Sequence, residues 1–167
     1  MELKQKILEL ACKKNACTTG IDKLLEMNTT AELIDCYFKY IDFCLAKKVP
    51  SLEFIKANFD NEVLTSNGIC LNMTGSANYT RRYAVIGESN MTLIYFGYDV
   101  GRVYVADNSK VTINAIENAF VVVDAVDNAT VVVNASENAK VMVNAYSDTD
   151  VSGNAKIIRK KTFTYEL

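Results

Sequence analysis

The 167-residue chain has few side chains able to do chemistry, and it contains no histidine. Histidine is the usual general base near neutral pH and a frequent metal ligand, so Ser-His-Asp, Cys-His and histidine-zinc chemistries are excluded. Thiols, carboxylates and amines remain. The five cysteines, Cys12, Cys17, Cys36, Cys44 and Cys70, are an odd set, which argues for reduced thiols rather than a disulfide framework. C-x4-C followed by C-x7-C is not a zinc-ribbon spacing, and Cys44 falls on an apolar helix face, so they read as core residues.

Four acids, Asp107, Glu117, Asp127 and Glu137, recur at ten-residue intervals. With two strands per coil, Asp107 would stack over Asp127 and Glu117 over Glu137, about 4.8 Å apart. Such an acidic edge could imitate nucleic-acid phosphates or hold a cation; solvated turns, partly neutralised by Lys110 and Lys140, are the plainer expectation. Arg159, Lys160 and Lys161, with Arg81 and Arg82, form the basic cluster. It has no flanking aromatic platform, so nucleic acid is not expected as a partner. No glycine-rich phosphate loop, nucleotide fingerprint or nucleophile elbow occurs, so the expectation is no catalytic residue, no cofactor and no metal.

Elements that could position these groups come in two kinds. In "TTAELIDCYFKYIDFCLAKK", Thr29 precedes Glu32 at capping-box spacing, and Ile34, Tyr37, Phe38, Ile41, Cys44 and Leu45 share one apolar face. This predicts one long helix, stopped by Pro50. Shorter helices are expected over residues 1–14, after Thr18 or Thr19, and in "SLEFIKANF" with Ser51 as its cap. The Asn-Gly turn in "TSNGIC" then marks a change from period 3.6 to period 2, giving a helical head at 1–66 and a second domain at 67–167.

That second domain repeats itself. Ten-residue units align as "SKVTINAIEN", "AFVVVDAVDN", "ATVVVNASEN", "AKVMVNAYSD" and a degenerate "TDVSGNAKII". Position 3 is valine from Val111 to Val151, position 7 is alanine from Ala115 to Ala155, and position 1 is small throughout. Alternation puts positions 1, 3, 5 and 7 on one face of a strand, and positions 8 to 10 make a turn. Small residues at both ends of the strand and valine at its centre suit a thin, lens-shaped interior between two sheets. The expected fold class is therefore α+β, a small helical domain followed by a parallel β-solenoid with about two strands per coil. An antiparallel meander is the rival with the same period.

Asparagine at position 10 (Asn108, Asn118, Asn128, Asn138) is expected to turn the corner with a positive φ, and asparagine at position 6 to stack into amide ladders. The alternating "KTFTYEL" at the C-terminus reads as a closing strand. On the outward face, Phe120, Val122 and Met142 fall on one side of the coil and make an apolar stripe, a candidate contact for a second chain or for the head.

The Asn-Ala pairs from Asn114-Ala115 through Asn154-Ala155, "NAY" at 144–146, the fragment "ACTTGIDKLL" and "YIDFCL" carry a resemblance. The chain resembles a group of uncharacterised proteins of bacteria, phages and mobile elements in which a short helical head precedes tandem N-A-x-V-x-A-Y units. The resemblance implies a β-solenoid and brings no catalytic residues.

No run approaches about 18 apolar residues, and charges interleave through "MELKQKILELACKK", so a cytoplasmic protein without a membrane span is expected. The functional expectation is a non-enzymatic structural or interaction module: a rigid repeat presenting a partner-binding head to a protein, and forming a homo-oligomer. The alternative is a phage or mobile-element anti-defence or regulatory binder that uses the acidic edge.

Overall fold

The computed structural model describes residues 3–78 and 81–161, in two compact units that meet in sequence at Asn67 and Gly68. Among the described residues, the first unit holds six helices: α1 (Leu3–Lys13), α2 (Thr18–Glu26), α3 (Thr30–Lys39), α4 (Ile41–Lys47), α5 (Leu52–Asn58) and α6 (Asn61–Ser66). The second holds eleven strands: β1 (Ile69–Leu71), β2 (Thr74–Asn78), β3 (Arg82–Ile86), β4 (Asn90–Tyr95), β5 (Val100–Val105), β6 (Lys110–Ala115), β7 (Phe120–Ala125), β8 (Thr130–Ala135), β9 (Lys140–Tyr146), β10 (Asp150–Gly153) and β11 (Lys156–Lys160). The fold is α+β, a helical head and a β-solenoid.

Local chemistry in the head explains most helix ends. Thr29 and Glu32 form the reciprocal capping box expected of them, the Thr29 hydroxyl accepting from the Glu32 N–H and the Glu32 carboxylate accepting from the Thr29 N–H. The Asn28 N–H, and after it the Thr29 N–H, donate to the Glu32 carboxylate and hold it below its usual range. The predicted long helix is interrupted, however: Tyr40, at φ -115° and ψ 32°, ends α3 and starts α4, and its hydroxyl donates to the Thr19 carbonyl of α2. Helix α2 is capped one residue earlier than expected, by Cys17, whose Sγ accepts from the Gly20 N–H. Helix α6 had no apolar period to announce it; Asp60 caps it by accepting from Glu62.

The expectation that the cysteines are core residues fails for two of them, because Cys12 lies in the last turn of α1 and Cys17 caps α2, both at the surface. Cys12 and Cys17 are exposed, Cys36 and Cys44 are partly covered, and Cys70 is buried. Loss of water pushes the Cys70 thiol up to about 11 and raises Cys44 and Cys36 as well. Under native conditions at pH 8, a thiol reagent should modify Cys12 and Cys17 rapidly and leave Cys44 and Cys70 until denaturant is added. Fast labelling of all five, read by intact mass, would contradict this packing.

In the solenoid, the period-2 pattern becomes two faces. Strand β6 buries Val111, Ile113 and Ala115 while Lys110 is exposed, and β7 buries Val121, Val123 and Ala125 in the same way. All pairings are parallel, in a six-stranded sheet ordered β1-β3-β5-β7-β9-β11 and a five-stranded sheet ordered β10-β8-β6-β4-β2. Lys110 pairs with Thr130 and Phe120 with Lys140, so one coil is twenty residues and two strands. An antiparallel meander is thereby ruled out. Valines 121, 123, 131, 133 and 143 and alanines 115, 119, 125 and 129 fill the narrow interior.

One coil departs from this recipe. Tyr95 occupies the position that is Ala115 one coil on, and Gly101 the position that is Val121. A Cβ on Gly101 would lie 2.7 Å from Tyr95 Cζ, so the fully buried ring takes the volume the glycine leaves.

Both ends deviate from the twenty-residue register. Ile69 pairs with Ala84, and Lys156 with Met142, so the first and last coils are shorter. At the C-terminal end, Gly153 (φ +93°) replaces the valine of the core column, and a Cβ there would meet the Val133 backbone. The last strand starts early, six residues ahead of the twenty-residue register, so that Ile157 falls beside the core residue Val143. The expected closing strand "KTFTYEL" lies outside the described residues, apart from Lys161.

Candidate functional site

The twenty-residue coil has two corners, and every second repeat unit falls on the same one. At the first corner the chain passes from the six-stranded to the five-stranded sheet, at residues 105–110 and 125–130; at the second it returns, at 95–100, 115–120 and 135–140. Each corner is a tight turn closed by a backbone bond, as from Ala119 N–H to Ile116 C=O at 3.3 Å and from Ala129 to Val126 at 3.3 Å.

The left-handed residue sits at position 9, not at the asparagine of position 10. Asp107, Glu117, Asp127, Glu137 and Ser147 have φ between 51° and 62°, with Gly87 and Gly97 in the same columns upstream. Position 10 does different work: its N–H donates to the coil before, as from Asn118 to Gly97 C=O at 2.9 Å, and its amide bonds to the next asparagine of the column. Asn128 donates to Asn108 at 3.2 Å and Asn138 to Asn118 at 3.3 Å. Position 6 carries the expected second ladder, with Asn134 donating to Asn114 at 2.9 Å and Asn144 to Asp124 at 2.8 Å. Asp124 is nearly fully covered and also pairs with Arg102 at 2.7 Å. An amide has both a donor and an acceptor, so it can pair identically up and down a stack.

The four acids of the sequence pattern separate onto opposite corners with different surroundings. Asp107 and Asp127 stand at the first corner. There the Asp107 carboxylate accepts the Gly87 N–H at 3.0 Å, and that of Asp127 accepts the Asp107 N–H at 3.1 Å. These carboxylates tie successive coils together, which their short side chains allow. Glu117 and Glu137 stand at the second corner, both exposed, with no hydrogen bond or ion pair of their carboxylates among the described residues. A glutamate in the left-handed region without a local bond carries backbone strain of order 1 kcal/mol.

Side-chain cover follows the same division. Position 8 is buried at the first corner, as Ile86, Ala106, Val126 and Tyr146, and exposed at the second, as Phe96, Ile116 and Ser136. Phe96, Tyr98, Val100, Ile116 and Phe120 are between 40 % and 85 % exposed, and all five belong to the second corner. Stacking makes them neighbours: Ile116 N–H donates to Tyr95 C=O, Asn118 to Gly97 and Phe120 to Asp99, and Val100 and Phe120 are direct partners. Among the described residues, Leu25 and Ile157 are the other exposed large hydrophobics.

The residues of the expected stripe, Phe120, Val122 and Met142, divide between two surfaces. Val122 and Met142 are direct partners on the outer face of the six-stranded sheet, both half-buried, between Arg102 on one side and Lys156 on the other. Phe120 belongs to the corner, where Lys140 follows it one coil on. Phe96, Tyr98 and Val100 were missed from sequence because they precede the regular repeat units, and Ile116 because it sits in a turn. Their signal was a twenty-residue spacing, Phe96 to Ile116 and Val100 to Phe120, the latter pair at a position that elsewhere is polar.

Among the described residues, no three Cys, Asp or Glu side chains converge as metal ligands, and no helix is long and apolar enough to cross a membrane. Comparison with protein-family models, curated proteins and solved structures finds no match for this chain.

Proposed function

We propose that the protein is a non-enzymatic interaction module whose solenoid offers its second corner to a protein partner. The observation that supports this is the grouping of Phe96, Tyr98, Val100, Ile116 and Phe120 on two successive coils. Single exposed apolar residues are ordinary on a protein surface, whereas a contiguous group of aromatic and branched side chains is typical of contact sites. Aromatic residues also dominate binding energy where they anchor an interface. The stacked coils hold the backbone of this corner in place, so little ordering is required on binding.

A triple variant, Phe96→Ser with Tyr98→Ser and Phe120→Ser, tests this in the full chain. The three side chains are already exposed, so stability should change by no more than about 1 kcal/mol. Proteins retained from a bacterial lysate by the wild type should be lost by the variant at an unchanged melting temperature. Equal retention by both would remove the corner from any interface. Light scattering on the same pair tests self-association, the form of this function in which the partner is a second copy: a lower mass for the variant would identify it.

A further inference from the structure

We infer that the partner segment taken by the second corner is cationic as well as apolar: a peptide stretch with arginine or lysine beside a large apolar side chain. This rests on the proposed role of the corner and adds the chemistry of its occupant. Glu117 and Glu137 stand one coil apart on that corner, about 4.8 Å along the axis, and their carboxylates lack intramolecular partners among the described residues. The contrast with the opposite corner is informative, since Asp107 and Asp127 there spend their carboxylates on backbone N–H groups of the neighbouring coil. One acidic column thus serves folding, and the other is left to solvent beside the exposed hydrophobics.

Complementarity sets the sign of the partner. Around the apolar group stand Asp99, Glu117 and Glu137 against Lys140, so the corner is net acidic. Asp99 spends one carboxylate oxygen on the Phe96 N–H at 3.0 Å, which keeps its charge at the edge of the aromatic pair. Tyr98, 85 % exposed, offers a ring face to a guanidinium or ammonium, and Phe96 offers another. An arginine lying across Glu117 and Glu137 could bond both carboxylates through its planar fork. A neighbouring apolar side chain would then meet Ile116 and Phe120.

The test uses the full chain and synthetic peptides. The protein has no tryptophan, so a tryptophan-tagged peptide of alternating arginine and leucine can be followed by its own fluorescence. Binding should weaken as salt rises, and a glutamate-leucine peptide should not bind. Glu117→Gln with Glu137→Gln should lower affinity about tenfold and remove most of the salt dependence, as expected for two exposed charge pairs. Asp148→Asn with Asp150→Asn makes the same net-charge change at exposed positions of the other corner and should leave binding unchanged.

An equal loss in both pairs of variants would mean attraction to overall charge and would overturn the inference. Loss in the Phe96→Ser, Tyr98→Ser, Phe120→Ser variant but not in the glutamine variant would keep the corner as a contact surface and reject a cationic partner. Unchanged binding in both would reject the corner itself. Dimerisation of the wild type abolished by the triple variant would make a second copy the occupant.

Discussion

Val133→Asp should unfold the solenoid, whereas Val132→Asp, one residue away, should be nearly silent. Val133 is fully buried, with Ile113 and Gly153 as its partners on the flanking strands. An aspartate there loses the burial of a valine, about 1.5 to 3 kcal/mol, and puts a carboxylate in a space lined by aliphatic side chains. The combined cost, about 5 kcal/mol or more, is comparable with the whole stability of a small domain. Coils in a solenoid support mainly their neighbours, so one broken coil weakens both sides of the stack. Val132 points outward and is only half-buried, so its change costs about 1 kcal/mol through strand preference. Thermal melts followed by circular dichroism should show Val132→Asp close to wild type and Val133→Asp without the solenoid transition. A cooperative, wild-type-like melt for Val133→Asp would reject the arrangement of the core.

Gly101→Val should destabilise strongly, and the added change Tyr95→Ala should restore part of the loss. The valine would drive its Cβ into the Tyr95 ring, whose Cζ lies 2.7 Å from where that atom must go. Overpacking of this kind costs about 1 to 3 kcal/mol, and more where a buried ring has no free space to enter. Tyr95→Ala alone leaves a cavity, with a cost of about 3 to 5 kcal/mol. Together the two changes rebuild the Ala-and-Val pairing of the next coil, Ala115 with Val121. The double variant should therefore be more stable than the sum of single effects predicts, by about 2 kcal/mol or more. Urea denaturation of the four proteins measures this coupling, and strict additivity would show that ring and glycine do not share the space.

The neighbouring features divide by the distance over which they are specified. Strand alternation, the capping box and the Asn-Ala columns are local, so Val111, Val121 and Val131 could be assigned to the core and Thr29 to a helix start from spacing alone. The two-sheet, twenty-residue coil followed from the same columns, because small residues at both strand ends suit two converging sheets and not one. Local pattern was a poorer guide where two residue types could do one task. Asparagine tolerates a positive φ, yet at position 10 its amide is worth more as a stacked donor and acceptor, and the aspartate, glutamate or serine before it takes the left-handed turn instead. Tyr40 likewise broke a helix whose apolar face runs unbroken in the sequence.

The corner was legible only in three dimensions. A coil of two strands already separates Asp107 and Asp127 from Glu117 and Glu137 in the sequence pattern, but a ten-residue repeat does not say that the two edges differ in burial and bonding. The closing of two units into one coil brings Phe96 beside Ile116 and Val100 beside Phe120, residues twenty positions apart. Spacing along the chain dictated what could stack, because a strand has only two faces and a turn only a few backbone solutions. Which stacked groups bond to the neighbouring coil and which are left facing water depended on contacts between coils, and those exist only once the chain has folded.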